Sequence, residues 1–295
     1  ESPAMNLPPF DPLTPPPLLT AVLPGIGGRI KTHVEDFEVE EIPAYQPSGA
    51  GDHLFLWIEK HGMGAEYFVR QVARRLDIPV SEVGTAGLKD RHAVTRQMVS
   101  VPAHAEARLN QLDGQDIRVL NVSRHGNKLK PGHLHGNRFR ILVREVTAEA
   151  VEHLPALVER LRQNGFVNFY GVQRFGREGE TVRLGLAMLR QEPPPAGINA
   201  NLRSPFLRKL TLSAAQSALF NHCLACRMAE GLLRRVLSGD VMARWPFGGL
   251  FVAEDVAAEQ ARLEAREIVP AGPMFGRKMF RAAGEAAQRE EKVLQ

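Results

Sequence analysis

Ala86-Gly87-Leu88-Lys89-Asp90-Arg91-His92-Ala93-Val94-Thr95-Arg96-Gln97 sets a single carboxylate, Asp90, between two cations and close to an imidazole. Gly87 lies three residues before the carboxylate, and the strand-like run Gln97-Met98-Val99-Ser100-Val101 follows. Neighbouring positive charge favours the ionised form of an aspartate, which suits a nucleophile or base better than a proton donor. A turn with solvated charges accounts for the same spacing, and on spacing alone it is the commoner reason for such a cluster.

Working outward, residues 34–42 alternate as a strand, with Phe37, Val39 and Glu41 on one face and Glu38 and Glu40 on the other. Residues 47–52 read as a turn and 53–60 as a largely buried strand. Residues 65–76 form an amphipathic helix with Phe68, Val69, Val72, Ala73 and Leu76 on its apolar face and Glu66 paired to Arg70 one turn on. Asp77-Ile78-Pro79 ends it. Past the motif, strands are predicted near 95–102, 117–123 and 138–146, and a basic, glycine-bearing loop spans 124–136. This order implies an α+β domain with a mainly antiparallel sheet.

From Ala148 the character changes. Residues 151–163 are amphipathic, with Leu154, Leu157, Val158 and Leu161 as the stripe. The segment 165–176 combines aromatics, glycine and one arginine, a set able to stack bases or to wedge domains together. Residues 191–195 read as a linker-like loop. Ser213 is placed to cap a long helix over 214–236, which carries Arg227, Arg234 and Arg235 and turns Ala215, Ala218, Leu219, His222, Cys223 and Cys226 to a core. A turn and short strand follow at 245–252, and 262–268 and 284–294 are helical in composition. No repeat is present. The division this suggests is a Pro-rich segment 1–25 with no packed element, a catalytic domain over 26–163, and a second α+β domain over 164–295.

The bulk numbers narrow the class. A chain of 295 residues, 44% hydrophobic, can bury a sizeable core in two domains, and no apolar run approaches a membrane span of roughly 18–20 residues. Two cysteines fit a reducing, cytoplasmic setting; Cys223 and Cys226 form a C-x-x-C inside a helical pattern, where core packing is favoured over metal or redox chemistry. His133-x-His135 has no acidic or Cys partner nearby to complete a metal set. Net charge is only +4, yet residues 60–145 carry 15 Lys/Arg against 8 Asp/Glu and six of ten His, while 35–41 is acidic. Such a basic block is expected where a protein tracks phosphates, and solvated surface produces it too.

Gly87-Leu88-Lys89-Asp90-Arg91-His92-Ala93-Val94-Thr95-Arg96-Gln97 resembles the active-site motif of the TruD-type tRNA pseudouridine synthases. Four more stretches resemble that family in order. They are 34–41 with Lys31 ahead of it, Gly136-Asn137-Arg138-Phe139-Arg140-Ile141, the segment 168–176, and Leu212 to Asn221. The resemblance implies a pseudouridine-synthase-like catalytic domain with an inserted α+β TRUD-type domain. It also implies isomerisation of a uridine in tRNA, at position 13 in bacterial members, without cofactor, metal or obligatory protein partner. Asp90 matches the catalytic aspartate. Phe139 would stack on the target base, where many other synthases have Tyr; Asn137 would bind the uracil edge; Phe37 would line the pocket; Lys31 would neutralise Asp90. Lys89 and Arg91 would set the local field or meet phosphates.

Family members continue past the insertion and return to the catalytic domain with final strands and a further pocket aromatic, whereas this chain stops at Lys292-Val293-Leu294-Gln295. Ala65 also stands where the family usually has Thr. The alternative reading is a tRNA-binding or chaperone module that keeps the fold without competent chemistry. A metal-dependent nuclease would need clustered carboxylates, which the sequence does not offer near the histidine pair.

Overall fold

The computed structural model describes residues 10–198, 204–246 and 248–294. Its contacts divide the chain into two compact units, one of Leu23–Glu159 and one of Glu1–Val22 with Arg160–Gln295. In chain order the first contains β1 (Gly27–Arg29), β2 (Phe37–Pro43), β3 (His53–His61), α1 (Ala65–Leu76), β4 (Gly84–Thr85), β5 (Val94–Pro102), β6 (Ile117–His125), β7 (Leu134–Ile141) and β8 (Arg144–Val146). The helix α2 (Ala150–Asn164) carries the division between the units.

The main sheet runs β6-β3-β5-β2-β7, with β4 on β5. Only β2 and β5 pair in parallel; the other pairings are antiparallel. Alternation along the strands decides what covers each face. Leu54, Leu56 and Ile58 of β3 and Val99 and Val101 of β5 are buried against Phe68, Val72, Ala73 and Leu76 of α1. Helix α1 keeps the predicted bounds: Glu66 sits in its first turn, Arg74 and Arg75 in its last, and Asp77 closes it at φ 54°. The Glu66–Arg70 pair forms at 2.7 Å.

Several expectations shift. The strand predicted over 138–146 begins earlier, at Leu134, and breaks after Ile141; β8 then leaves the sheet and pairs with β1. The break coincides with a tie to the lead-in of β2, where Arg144 grips the buried carboxylate of Asp36 through two bonds of 2.7 Å. Residues 103–111 form a 3-10 segment that periodicity did not indicate. The stripe of α2 does not become core: Ala150 is the buried residue of that helix, while Leu154 and Val158 are 46% and 40% exposed.

The second unit holds α3 (Glu180–Arg190), α4 (Pro205–Ala229), β9 (Val241–Arg244), β10 (Leu250–Val252), α5 (Val256–Glu264), β11 (Ile268–Pro270) and α6 (Gly284–Leu294). β9 is the centre of an antiparallel three-stranded sheet, so this unit is α+β as well. The long helix begins well before 214, with Pro205 in the first turn and Ser204 as N-cap. Ser213 is therefore an interior residue; its hydroxyl accepts from Arg174, which also reaches Ser217 Oγ at 3.0 Å. The helix ends at Ala229, and Gly231 follows at φ 69°. Helix α3 was not foreseen, and the helix expected over 262–268 lies earlier, capped by Asp255, while Ile268 is a buried strand residue.

In the 165–176 segment, Phe175 packs with Val182, Ala214 and Ala218, and Asn221 bonds the main chain of Tyr170 in both directions. Packing thus accounts for Phe175, whereas Phe166 is 85% exposed. Of the Pro-rich stretch expected to lack a packed element, residues 1–9 lie outside the described residues. From Phe10 onward there is no helix or strand up to β1, yet Phe10 and Leu13 pack on the Phe175 cluster. Two apolar side chains suffice to seat a segment whose prolines deny it regular structure.

Candidate active site

The motif loop is short, and both its ends are tied down. Gly132 N–H donates to Ala86 O at 2.8 Å, and Gly62 N–H donates to Ala93 O at 3.2 Å. Near the first tie, Gly84 lets β4 approach closely: a Cβ there would meet Ser100 Oγ and Leu129 O. Within the loop, consecutive residues face opposite ways. Lys89 turns inward and forms an ion pair of 2.6 Å with Glu41 of β2, with both side chains almost fully buried. Met98 N–H donates to the second oxygen of Glu41 at 3.2 Å. Asp90 turns outward, and half of its side chain is exposed.

Lys31 meets that carboxylate at 3.6 Å. Its backbone is left-handed, at φ 58°, and its ammonium lies 4.0 Å over the ring of Phe37. Phe37 is buried and its ring centroid is 5.9 Å from that of Phe139, which is 53% exposed. Cross-strand register explains the meeting, since Phe37 faces Ile141 and Val39 faces Phe139 on the same side of the sheet. Asn137, opposite Glu41, lies on that side too, and its Oδ1 is buried without a hydrogen-bond partner among the described residues. Thr95 Oγ1 and Gln97 Oε1 on β5 share that condition. Polar atoms buried unpaired in a native fold are the groups a ligand is expected to satisfy. Of these, Gln97 also borders a cleft of about 320 Å³, with Phe68 and Val69 of α1 and Gly87 and Leu88 of the motif loop.

The structure thus brings Lys31, Phe37, Asp90 and Phe139 into one run of contacts, with Asn137 one alternation along β7 from Phe139. Lys89, expected to set the local field or meet phosphates, is buried and ion-paired to Glu41. Sequence reading also passed over Lys60, which has no exposed surface and donates to Met63 O at 2.6 Å and to Asp90 O at 3.1 Å. Burial pulls its pKa down to about 8, the Asp90 charge opposing that shift and the Lys89 charge adding to it. The signal was available: Lys60 continues the face of Leu54, Leu56 and Ile58, where a charge breaks the pattern. The basic block is less free than its composition suggests, because Arg96 and Arg140 pair with Glu38, Arg138 with Glu40, and Arg144 with Asp36. Among the described residues no group of His, Cys, Asp or Glu has the arrangement of a metal site. Burial pushes the Cys223 thiol up to about 12, and Cys226 is buried in α4.

The family model for tRNA pseudouridine synthase D (TruD) matches residues 17–198 and 200–295. The chain belongs to the TruD family. A tRNA pseudouridine synthase D of Anaeromyxobacter sp. (strain Fw109-5) is 47% identical over 283 residues, covering 96% of this chain and 80% of the relative. A protein of that name from Thermus thermophilus is 41% identical over 279 residues, 94% of this chain and 76% of the relative. A solved structure described as a putative TruD of Methanosarcina mazei superposes with a TM-score of 0.78 over 98% of this chain and 83% of that one. At 21% identity that likeness speaks for the fold, and the TruD fold agrees with the α+β class and largely antiparallel sheets seen here. No helix among the described residues is long and apolar enough to cross a membrane.

Proposed function

We propose that this TruD-family chain converts a uridine of tRNA, at position 13, to pseudouridine, with Asp90 as the reacting carboxylate. The observation that carries the reading is the Asp90 loop itself: an accessible carboxylate on a segment fixed at both ends, ion-paired to Lys31, whose ammonium lies over the Phe37 ring that meets Phe139. The reaction breaks the N1–C1′ bond, turns the base and joins C5 to C1′; the C5 proton is lost and N1 gains one, so composition is unchanged. A carboxylate adds to the nucleotide and keeps the detached fragment in place, and the site's geometry holds the parts for recombination. Lys31 balances the charge of Asp90. Phe139 stacks on a base that must leave its helix to be reached, Phe37 lines the pocket, and Asn137 reads the uracil edge with the oxygen it leaves unpaired. We take residues 26–163 as the catalytic domain and 164–295 as the insertion, which would grip tRNA by shape and backbone charge.

The test is nucleoside composition of tRNA after incubation with the chain and with Asp90→Ala, alongside filter binding. Pseudouridine from the parent alone, with equal binding by both, is the expected result. Equal binding with no pseudouridine from either would favour the binding or chaperone module instead.

A further inference from the structure

Lys60 is an unusual group to find with no exposed surface. Lysine is almost never fully buried without an acid partner, and withdrawing an ammonium from water is costly. Glu41, a buried carboxylate of the same sheet, is already occupied by Lys89. The Lys60 ammonium instead holds two main-chain carbonyls, those of Met63 and Asp90, and faces the Phe68 ring at 5.8 Å. Its register partners on the adjoining strands, Thr95 and Ile117, carry no charge. The charges acting on it come from the motif loop: Asp90 favours the ammonium and Lys89 opposes it. An apolar side chain of similar length would avoid burying an ammonium, at the loss of the hydrogen bonds to those two carbonyls. What such a side chain could not do is hold the Asp90 carbonyl.

We propose that Lys60 is a positioning residue for the isomerisation, pinning the main chain of Asp90 from beneath so that its carboxylate meets the nucleotide at a fixed height and angle. The inference rests on Asp90 being the reacting carboxylate. A half-exposed side chain on a loop needs such support, because misplacement by about 1 Å costs on the order of a hundredfold in rate. With its pKa near 8 the ammonium remains mostly charged at neutral pH, so a positive charge also lies behind the carboxylate.

The experiment compares single-turnover rates of the parent, Lys60→Met and Asp90→Asn on saturating tRNA, with tRNA affinity and melting temperature measured for each. Lys60→Met is expected to lose about a hundredfold in rate, to bind tRNA as the parent does, and to remain fully folded at the assay temperature. A parental rate in Lys60→Met while Asp90→Asn is inactive overturns the role of Lys60 alone; an active Asp90→Asn overturns the reading of the site beneath it. A rate loss matched by an equal loss of folded protein also overturns the positioning role. If Lys60→Met does not fold, the titration of the Lys60 ammonium by heteronuclear NMR decides, in the parent and in Asp90→Asn, whose changed side chain is half exposed. Removing the Asp90 charge should move that titration to lower pH, and an unmoved titration overturns the coupling.

Discussion

Phe139 is exposed where a core aromatic would be buried, and its ring touches Phe37 rather than a closed interior. An aromatic in that position is free to offer a face to a base. Stacking on a base is worth about 1–3 kcal/mol by truncation, so Phe139→Ala should lower kcat/KM by about 5- to 150-fold. Its melting temperature should stay close to the parent's, because little buried surface is lost. Phe139→Tyr, which keeps the ring, should remain within a few-fold of the parent. Single-turnover kinetics with a thermal melt check both, and a Phe139→Ala protein that unfolds early would make the ring a structural residue instead. Asp90, Phe37, Asn137 and Phe139 stood out because their motif resembles a family, not because periodicity marked them; alternation placed Phe37 on the correct face but could not say what lies opposite.

At the scale of the elements, β2 is where the sequence's uneven charge is settled. The acidic run 35–41 lies on that strand and its lead-in, and its members take up cations of β5, β7, β8 and the motif loop. A linear count of basic residues could not reveal this, since pairing depends on which strands become neighbours. The parallel step from β2 to β5 separates Glu41 from Lys89 by 48 residues. The Glu41–Lys89 pair is the deepest of these contacts, so Lys89→Met alone should destabilise the first unit by about 3–5 kcal/mol, by stranding a buried carboxylate. The double variant Lys89→Met/Glu41→Leu should recover most of that loss, as a chemical-denaturation cycle would show. Additive losses would mean that the two side chains do not interact as the geometry indicates. Helix boundaries were legible where a stop signal was unambiguous, as at Asp77-Ile78-Pro79 after α1. They slipped at α4, where Ser204-Pro205 was the true start and Ser213 the misleading one.

On the scale of the whole molecule, each unit carries its own core and its own electrostatic balance. In the second, Arg227 binds Asp240 through two bonds, and burial pushes the nearby Glu290 carboxyl up to about 7, with the Asp240 charge adding to the shift. Between its ordinary 4.5 and about 7, the folded state holds more protons than the unfolded one, so Glu290 lowers stability as pH rises through that window. Glu290→Gln should therefore match the parent near pH 4.5 and exceed it by about 1–3 kcal/mol at pH 8. Urea unfolding at the two pH values checks this, and an equal difference at both would remove the titration from the explanation. The α+β class could be read from strand alternation, whereas α3 and the centre of the second sheet, β9, gave no distinct periodic signal. The first unit holds the Asp90 loop and every residue assigned a part in the chemistry, so the central claim can be tested at one atom of the substrate. With tRNA carrying tritium at C5 of its uridines, the parent chain should release label as pseudouridine forms, and Asp90→Asn should bind the same tRNA and release none. Release by Asp90→Asn at the parental rate would contradict the account.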